Sequence, residues 1–558
     1  MNAKDARRRT LSLLLALGLT AALPGCGGGA VARDTPVAAE EPSARYLMVV
    51  EDEPDTVDFQ CTSIYYTVAT NVFDRLVEME TDDAGDVEIV PSLCESWETS
   101  GDGRSYTFHL RQGVRFSNGA ELTAADVEYT FTRLLTHPDS CNRDIVDDIV
   151  GAEALSRGET DVLEGFRVLD DLSFVITLEH PFEAFLACLS MPGASILDAE
   201  TTADAGDRFG NDPEYTVGTG PFILQSWTAG KGMVLTANPV CWSGLPGCAG
   251  MEWRFMTEPE EIRLKFEQGE LDIVDLDDLD NSAEFFLHGD IYQSRLFSVR
   301  RIAITYIALN EAVPPLDDVR VRRALQLGLN RTVLLDAVYG GRGELENGIF
   351  PRGLYGYNPD LPELPFDPIE ARALLREAGL GDGFDLTMSV KSSSSQWEMT
   401  LMTLAAEMWQ RIGVRCKLEV LDEGEFMSAR KSGKLSCYTA MWTADFNDPD
   451  NFIYTFFGSR ENATFRSLNY NRDAVMKRIV RARSISDPAA RLAEYRELER
   501  IIVQEDAAWI PLFSREHYYV AGEDVQGLRA TWNGSVKNCY RYITFRDGIC
   551  SAPASLGC

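Results

Sequence analysis

MTLMTLAAEMWQRIGVRCKLEVLDEGEFMSARKSGKLSCYTAMWTADFNDPDNF, residues 399–452, alternates between helical and strand-like hydrophobic patterns. Residues 399–413 set apolar side chains three and four apart and close on Gly413, the pattern of a helix ended by glycine. VRCKLEVL (414–421) reads as a strand, EFMSARKSG (425–433) as a short helix and KLSCYTAMW (434–442) as a second strand. A strand, a helix and a strand in succession predict an α/β fold with parallel or mixed sheets and crossover helices. Ligands in open α/β sheets sit beyond the carboxyl ends of strands, and WTADFNDPDNF (442–452) lies just past one.

The rest of the chain has the same character. YLMVV (46–50) is strand-like, and YTVATNVFDRLVEM (66–79) has apolar residues at helical spacing. SYTFHLRQGVRF (105–116) alternates like a hairpin arm. LTAADVEYTFTRLL (122–135) opens on Thr123, three residues before Asp126, as in a capping box. FRVLDDLSFVITL (166–178) reads as strand, turn and strand. DVRVRRALQLGLNRTVLLDAVYGG (318–341) predicts one long amphipathic helical region closing on glycine, and DPIEARALLREAG (367–379) a further helix.

Composition narrows the function. At 558 residues, two or three domains are expected, and 45% apolar residues argue for ordered globular structure. With 87 acidic against 52 basic residues the formal charge is −35. Beyond the extreme N-terminus no cationic cluster is available for phosphate, which excludes nucleic acid as a partner.

The three aspartates of 442–452 pose the chemical question. A calcium loop starting at Asp445 would put Pro449 at position 5, Asp450 at position 6 and Phe456 at position 12, against the required ligands and glycine. The acidic run DIVDLDDLD (272–280) lacks the glycine too and reads as a solvated loop. Histidines 109, 137, 180, 288 and 517 have no metal-ligand spacing, and there is no GxSxG, HExxH or P-loop. No catalytic residue, metal site or cofactor is therefore assigned. A cation anchor suits the residue types: a carboxylate at Asp445 for an ammonium, with Trp442 and Phe446 as aromatic walls. Capping of the helix that follows, by Asp445 itself, suits them equally.

The N-terminus carries Lys4, Arg7, Arg8 and Arg9, then the apolar run LSLLLALGLTAAL (11–23), too short for a comfortable membrane span. It ends in LPGC (23–26), which resembles the bacterial lipobox. Residues 1–25 are then a lipoprotein signal peptide and Cys26 the lipidated residue; an ordinary cleaved signal is the alternative. GGGAVARDTPVAAEEPSA (27–44) extends the anchor as a flexible tether (26–44). Eleven cysteines follow Cys26, an odd number, so at least one is free or paired between chains. Cys241 and Cys248 end a Gly/Pro turn that suits a local disulfide, and Cys416 and Cys437 lie on strands that could be neighbours.

PSLCESWETSGDGRSYTFHLRQGVRFSNGAELTAADVEYTFTRLL (91–135), VGTGPFILQSW (217–227) with ANPVCW (237–242), IFPRGLYGYNPD (349–360), IGVRCKLEVLDEGEFM (412–427) and IPLFSREHYYV (510–520) occur in one order. In that combination the chain resembles the family 5 extracellular solute-binding proteins, the oligopeptide-, dipeptide- and nickel-binding lipoproteins of ABC importers. The resemblance spans nearly all of 45–545. It implies the two-lobed periplasmic-binding-protein fold with mixed sheets, in its three-domain (type II, cluster C) variant. One lobe would combine 45–89, 214–305 and 514–558; residues 90–213 would be an inserted domain; 306–513 would be the opposite lobe. Crossings near 305 and 514 would form the hinge.

The same resemblance implies no enzyme. It implies a lipid-anchored, extracytoplasmic monomer that captures peptides for an ABC permease and ATPase complex. Asp445 would pair with the peptide α-ammonium, beside Trp442 and Phe446. CTSIYY (61–66), with Ser63, Ile64 and Tyr66, would offer backbone to an extended peptide. The arginine that grips a peptide carboxylate in relatives has no counterpart at Thr439, Met399 or Thr400. Arg430 is the candidate substitute, an exposed helix surface its other reading. The alternatives are another amine-bearing metabolite, a sugar or a metal chelate as ligand, or a secreted hydrolase.

Overall fold

The computed structural model describes residues 43–62, 65–81 and 87–546. The leader, Cys26, the tether as far as residue 42, Ser63 and Ile64 lie outside the described residues, and the last two tether residues, 43 and 44, already belong to a strand. A seven-stranded sheet runs Leu296–Arg300, Glu516–Ala521, Ile273–Asp275, Ser43–Glu51, Cys248–Phe255, Gly232–Ala237, Phe222–Thr228. It is mixed: Ser43–Glu51 lies parallel to both neighbours, and the other pairings are antiparallel.

A four-stranded antiparallel sheet joins Cys94–Thr99, Ser105–Leu110, Ser173–Thr177 and Phe166–Asp170. Its Phe108, Phe166 and Phe174 stack in sequence, and Phe131 of the helix Ala124–Thr136 meets Phe166 edge-on. That helix starts with the expected capping box of Thr123 and Asp126.

A second four-stranded antiparallel sheet, Glu344–Leu345, Trp509–Ser514, Ala303–Leu309, Cys437–Thr443, carries the strand that leads into the acidic motif. The predicted succession of strand, helix and strand is split between sheets. Val414–Leu421 pairs in parallel with Phe384–Lys391 across the helix Gln396–Gln410. After the helix Glu423–Lys431 the chain enters Cys437–Thr443, which pairs instead with Ala303–Leu309. Cys416 and Cys437 thus stand on strands that are not hydrogen-bonded neighbours, and both thiols are unbonded. Cys241, 3.3 Å from Ser243 Oγ, and the buried Cys248 are unbonded as well.

Two further expectations change for local reasons. Residues 318–341 form two helices, Val319–Leu327 and Arg331–Tyr339, because the Asn330 side chain accepts the Val333 N–H and so caps a new helix. The second helix does close on glycine: Gly340 takes a positive φ. Residues 66–79 are helical only over Thr67–Val72, then become the strand Val77–Thr81. The GTGP motif causes this break, since Gly220 N–H donates to Val72 O at 2.9 Å. A Cβ on Gly218 would come within 2.0 Å of that same oxygen, so only glycine permits the approach.

The motif strand is braced from below by Trp509. This fully buried indole stacks on Tyr306 at 4.3 Å between ring centres, and Phe456 of the helix Pro449–Phe457 meets it at 5.1 Å. Truncation to Trp509→Ala is expected to lower stability by about 3–5 kcal/mol, measurable as a shift of the urea unfolding curve.

Candidate ligand-binding site

Each polar group of the motif can be followed to its partner. Asp448 caps the helix Pro449–Phe457, accepting the Asp450 N–H at 2.8 Å. Both its oxygens also accept from Arg491, each at 2.7 Å. Asp450 accepts from Tyr495 Oη at 2.9 Å and Arg483 Nε at 3.1 Å. Asn447 Oδ1 accepts the Tyr355 N–H at 2.7 Å. The capping role considered for Asp445 therefore falls to Asp448, three residues later.

Asp445 is treated differently. Its backbone N–H donates to Asn451 Oδ1 at 3.0 Å, and its Oδ2 accepts from Asn451 Nδ2 at 3.0 Å. Among the described residues no arginine or lysine forms an ion pair with it. Asp445 lines a half-open cavity of about 940 Å³, the size of a small-molecule site. Its side chain keeps solvent contact through that cavity although protein surrounds it. Enclosure pushes its carboxyl up to about 6, the Asp144 carboxylate adding to the rise while Asn451 and Arg466 oppose it.

Other residues expected at the site are placed as follows. Tyr66 lines the cavity, its hydroxyl oxygen 3.0 Å from Thr62 O and 2.9 Å from Asn142 Oδ1, either of which can accept its one proton. Trp442 stands behind the wall: its Nε1 donates to Asn451 Oδ1 at 3.2 Å, and the Arg466 guanidinium covers its ring at 4.5 Å. Phe446 is buried in the core built from residues between 76 and 217. Arg430, on the helix Glu423–Lys431, lies beside Phe465 and away from the cavity wall. Asp445 and Tyr66 are thus brought together, while Trp442, Phe446 and Arg430 support other surfaces.

Several wall residues escaped the sequence reading. Asp74 accepts from Trp242 Nε1 at 2.8 Å and Thr219 Oγ1 at 2.9 Å, so two signature motifs, GTGP and ANPVCW, meet on one carboxylate. Trp532 and Arg529 come from a C-terminal stretch without recognisable pattern. Of the wall's cations, Arg75 pairs with Glu78 and Lys537 with Glu51. Arg541 donates to Ser243, and Arg529 lies over the Tyr542 ring with no carboxylate in ion-pair distance among the described residues. The wall can therefore meet an ammonium at Asp445 and a carboxylate at Arg529.

The sign of the Asp445 shift gives a test without ligand. A carboxyl raised on folding opposes stability where it is ionised, above about pH 6, and the penalty fades as pH falls toward its unfolded value. Asp445→Asn should therefore raise the unfolding temperature of the empty protein more at pH 7.5 than at pH 5.

The chain is similar to known proteins over most of its length. The family model for bacterial extracellular solute-binding proteins, family 5 Middle, matches residues 88–464. Di/tripeptide-binding protein 4 of Pseudomonas aeruginosa (strain UCBPP-PA14) is 31% identical over 540 residues, 93% of this chain and 96% of the relative. The dipeptide-binding protein of Escherichia coli (strain K12) is 29% identical over 426 residues, 74% of this chain and 78% of the relative. The ABC transporter-associated periplasmic binding protein DppA from Helicobacter pylori, solved in complex with peptide STSA, superposes with a TM-score of 0.74 at 24% identity. That match covers 90% of this chain and 98% of the other, and the fold is thereby that of the periplasmic binding proteins.

Proposed function

The chain belongs to the family 5 bacterial extracellular solute-binding proteins, and from that premise we propose that it captures peptides for an ABC importer. Asp445 would take the peptide's α-ammonium. The observation that carries this reading is the division of labour within the motif. Asp448 and Asp450 are bonded to arginines, while Asp445 faces the cavity with an asparagine alone. An ammonium there would relieve the enclosed carboxylate. Arg529 is the matching candidate for a carboxylate group of the ligand. The peptides and dipeptides bound by the relatives support the same class.

The reading includes an extracytoplasmic, non-enzymatic monomer anchored through Cys26 and handing ligand to a permease and ATPase complex. Its lobes would be 45–89 with 214–305 and 514–558, against 306–513, with 90–213 inserted. The crossings near 305 and 514 would act as the hinge.

Calorimetric titration with short peptides, free or acetylated at the amine, tests the anchor. Free peptides should bind, and acetylation or Asp445→Asn should each weaken binding by about 2–5 kcal/mol. Equal affinity for free and acetylated peptides would remove Asp445 as the anchor. Retention of a non-peptide mass alone in native mass spectrometry would overturn the ligand class.

Affinity should also follow the ionisation of Asp445. Binding is full above about pH 6, where the carboxyl is charged. Below that it should fall about tenfold per pH unit as protons compete with the ammonium. Titration between pH 4.5 and 8 measures this slope.

A further inference from the structure

Behind the cavity wall two chain segments run together, each carrying a cysteine. The Cys141 N–H donates to Gln60 O at 2.9 Å. The next side chain, Asn142, donates from Nδ2 to Phe59 O at 2.9 Å and Thr62 O at 2.8 Å. The Cys141 sulfur stands 3.5 Å from the carbonyl oxygen of Cys61. A sulfur this close to the Cys61 backbone sets the two side chains next to each other, as the short reach of a disulfide requires. The two thiols are unbonded in the structure, Cys141 exposed and Cys61 half-buried.

Cys61 has polar neighbours on two sides. Its sulfur lies 3.3 Å from His137 Nδ1 and 3.3 Å from Asp58 Oδ2. A metal ion held by Cys61, His137 and Asp58 is the competing reading. Against it, Asp58 Oδ2 already accepts from Arg133 Nη2 at 2.6 Å, and His137 Nδ1 from the Asp139 N–H at 3.3 Å. A guanidinium on the same carboxylate oxygen repels a cation.

We propose that Cys61 and Cys141 form a disulfide when the exported chain meets a disulfide oxidant, tying residues 59–62 to residues 137–142. Tyr66, which lines the cavity, hangs from this junction through Asn142. Exposed Cys141 reacts first, because burial and Asp58 push the Cys61 thiol up to about 12. Its thiolate attacks the oxidant's disulfide and releases one thiolate. Cys61 then loses its proton to solvent and attacks the Cys141 sulfur, expelling the second thiolate, which is protonated in turn. Two protein thiols are oxidised and one donor disulfide is reduced to two thiols.

Peptide mapping decides the matter. The purified full chain is equilibrated with oxidised glutathione under native conditions, alkylated in denaturant and digested without reductant. The expected product is a linked pair of peptides holding Cys61 and Cys141, lighter by two hydrogens than their sum and separated by reductant. In Cys61→Ser, Cys141 should remain as a glutathione adduct. Alkylation of both residues, glutathione on both, or a bridge from either to another cysteine would overturn the pairing. So would stoichiometric zinc in the untreated protein that shields Cys61 from alkylation until chelated.

Discussion

The bidentate pair of Asp448 with Arg491 is the constraint on which the site depends. Both groups are buried, and neither would be tolerated there alone. The pair fixes the first turn of the helix Pro449–Phe457, and with it the helix axis relative to the strand Cys437–Thr443. The few residues between strand and helix have little freedom left. Asn451, in the first turn, reaches back to the Asp445 backbone, the Asp445 carboxylate and the Trp442 indole. Asp445 is thus aimed by neighbours that are themselves held by an internal ion pair.

The acid-rich character of the chain fits this construction. A turn with several carboxylates would repel itself unless most were neutralised inside the protein. Arg491 and Arg483 do this for Asp448 and Asp450. Arg483 also reaches Asp148 at 3.0 Å and lies over the Phe182 ring at 4.2 Å, binding the motif helix to the sheet domain formed by residues 94–177 and its surroundings.

Much of the fold was legible because the signals were local. Thr123 with Asp126 marked a helix start, Gly413 followed a helix end, and alternation marked the strands 105–110 and 166–177. The misses were tertiary. Nothing in VRCKLEVL or KLSCYTAMW tells that the two strands join different sheets. The end of the helix Thr67–Val72 depends on Gly218 and Gly220, far along the chain. At the candidate site, Asp445 and Tyr66 stand in the segments that the resemblance singles out, and both line the cavity. Trp442 and Phe446 were read as walls from adjacency in sequence. The chain bends after the strand ends at Thr443, and the two rings meet other neighbours, Arg466 for one and a distant core for the other. Trp532 and Arg529 lie in a stretch without period or motif, so only the folded chain shows them.

Phe446 is attached to Asp445 by one peptide bond, yet its ring belongs to the core of the 76–217 region. Pulling that region away from the motif would bring an aromatic side chain into water, at a cost of about 1.5–3 kcal/mol. The ring thus acts as a hydrophobic fastener beside the carboxylate. Any motion that parts the motif from the 76–217 region has to draw this phenyl group out of its socket.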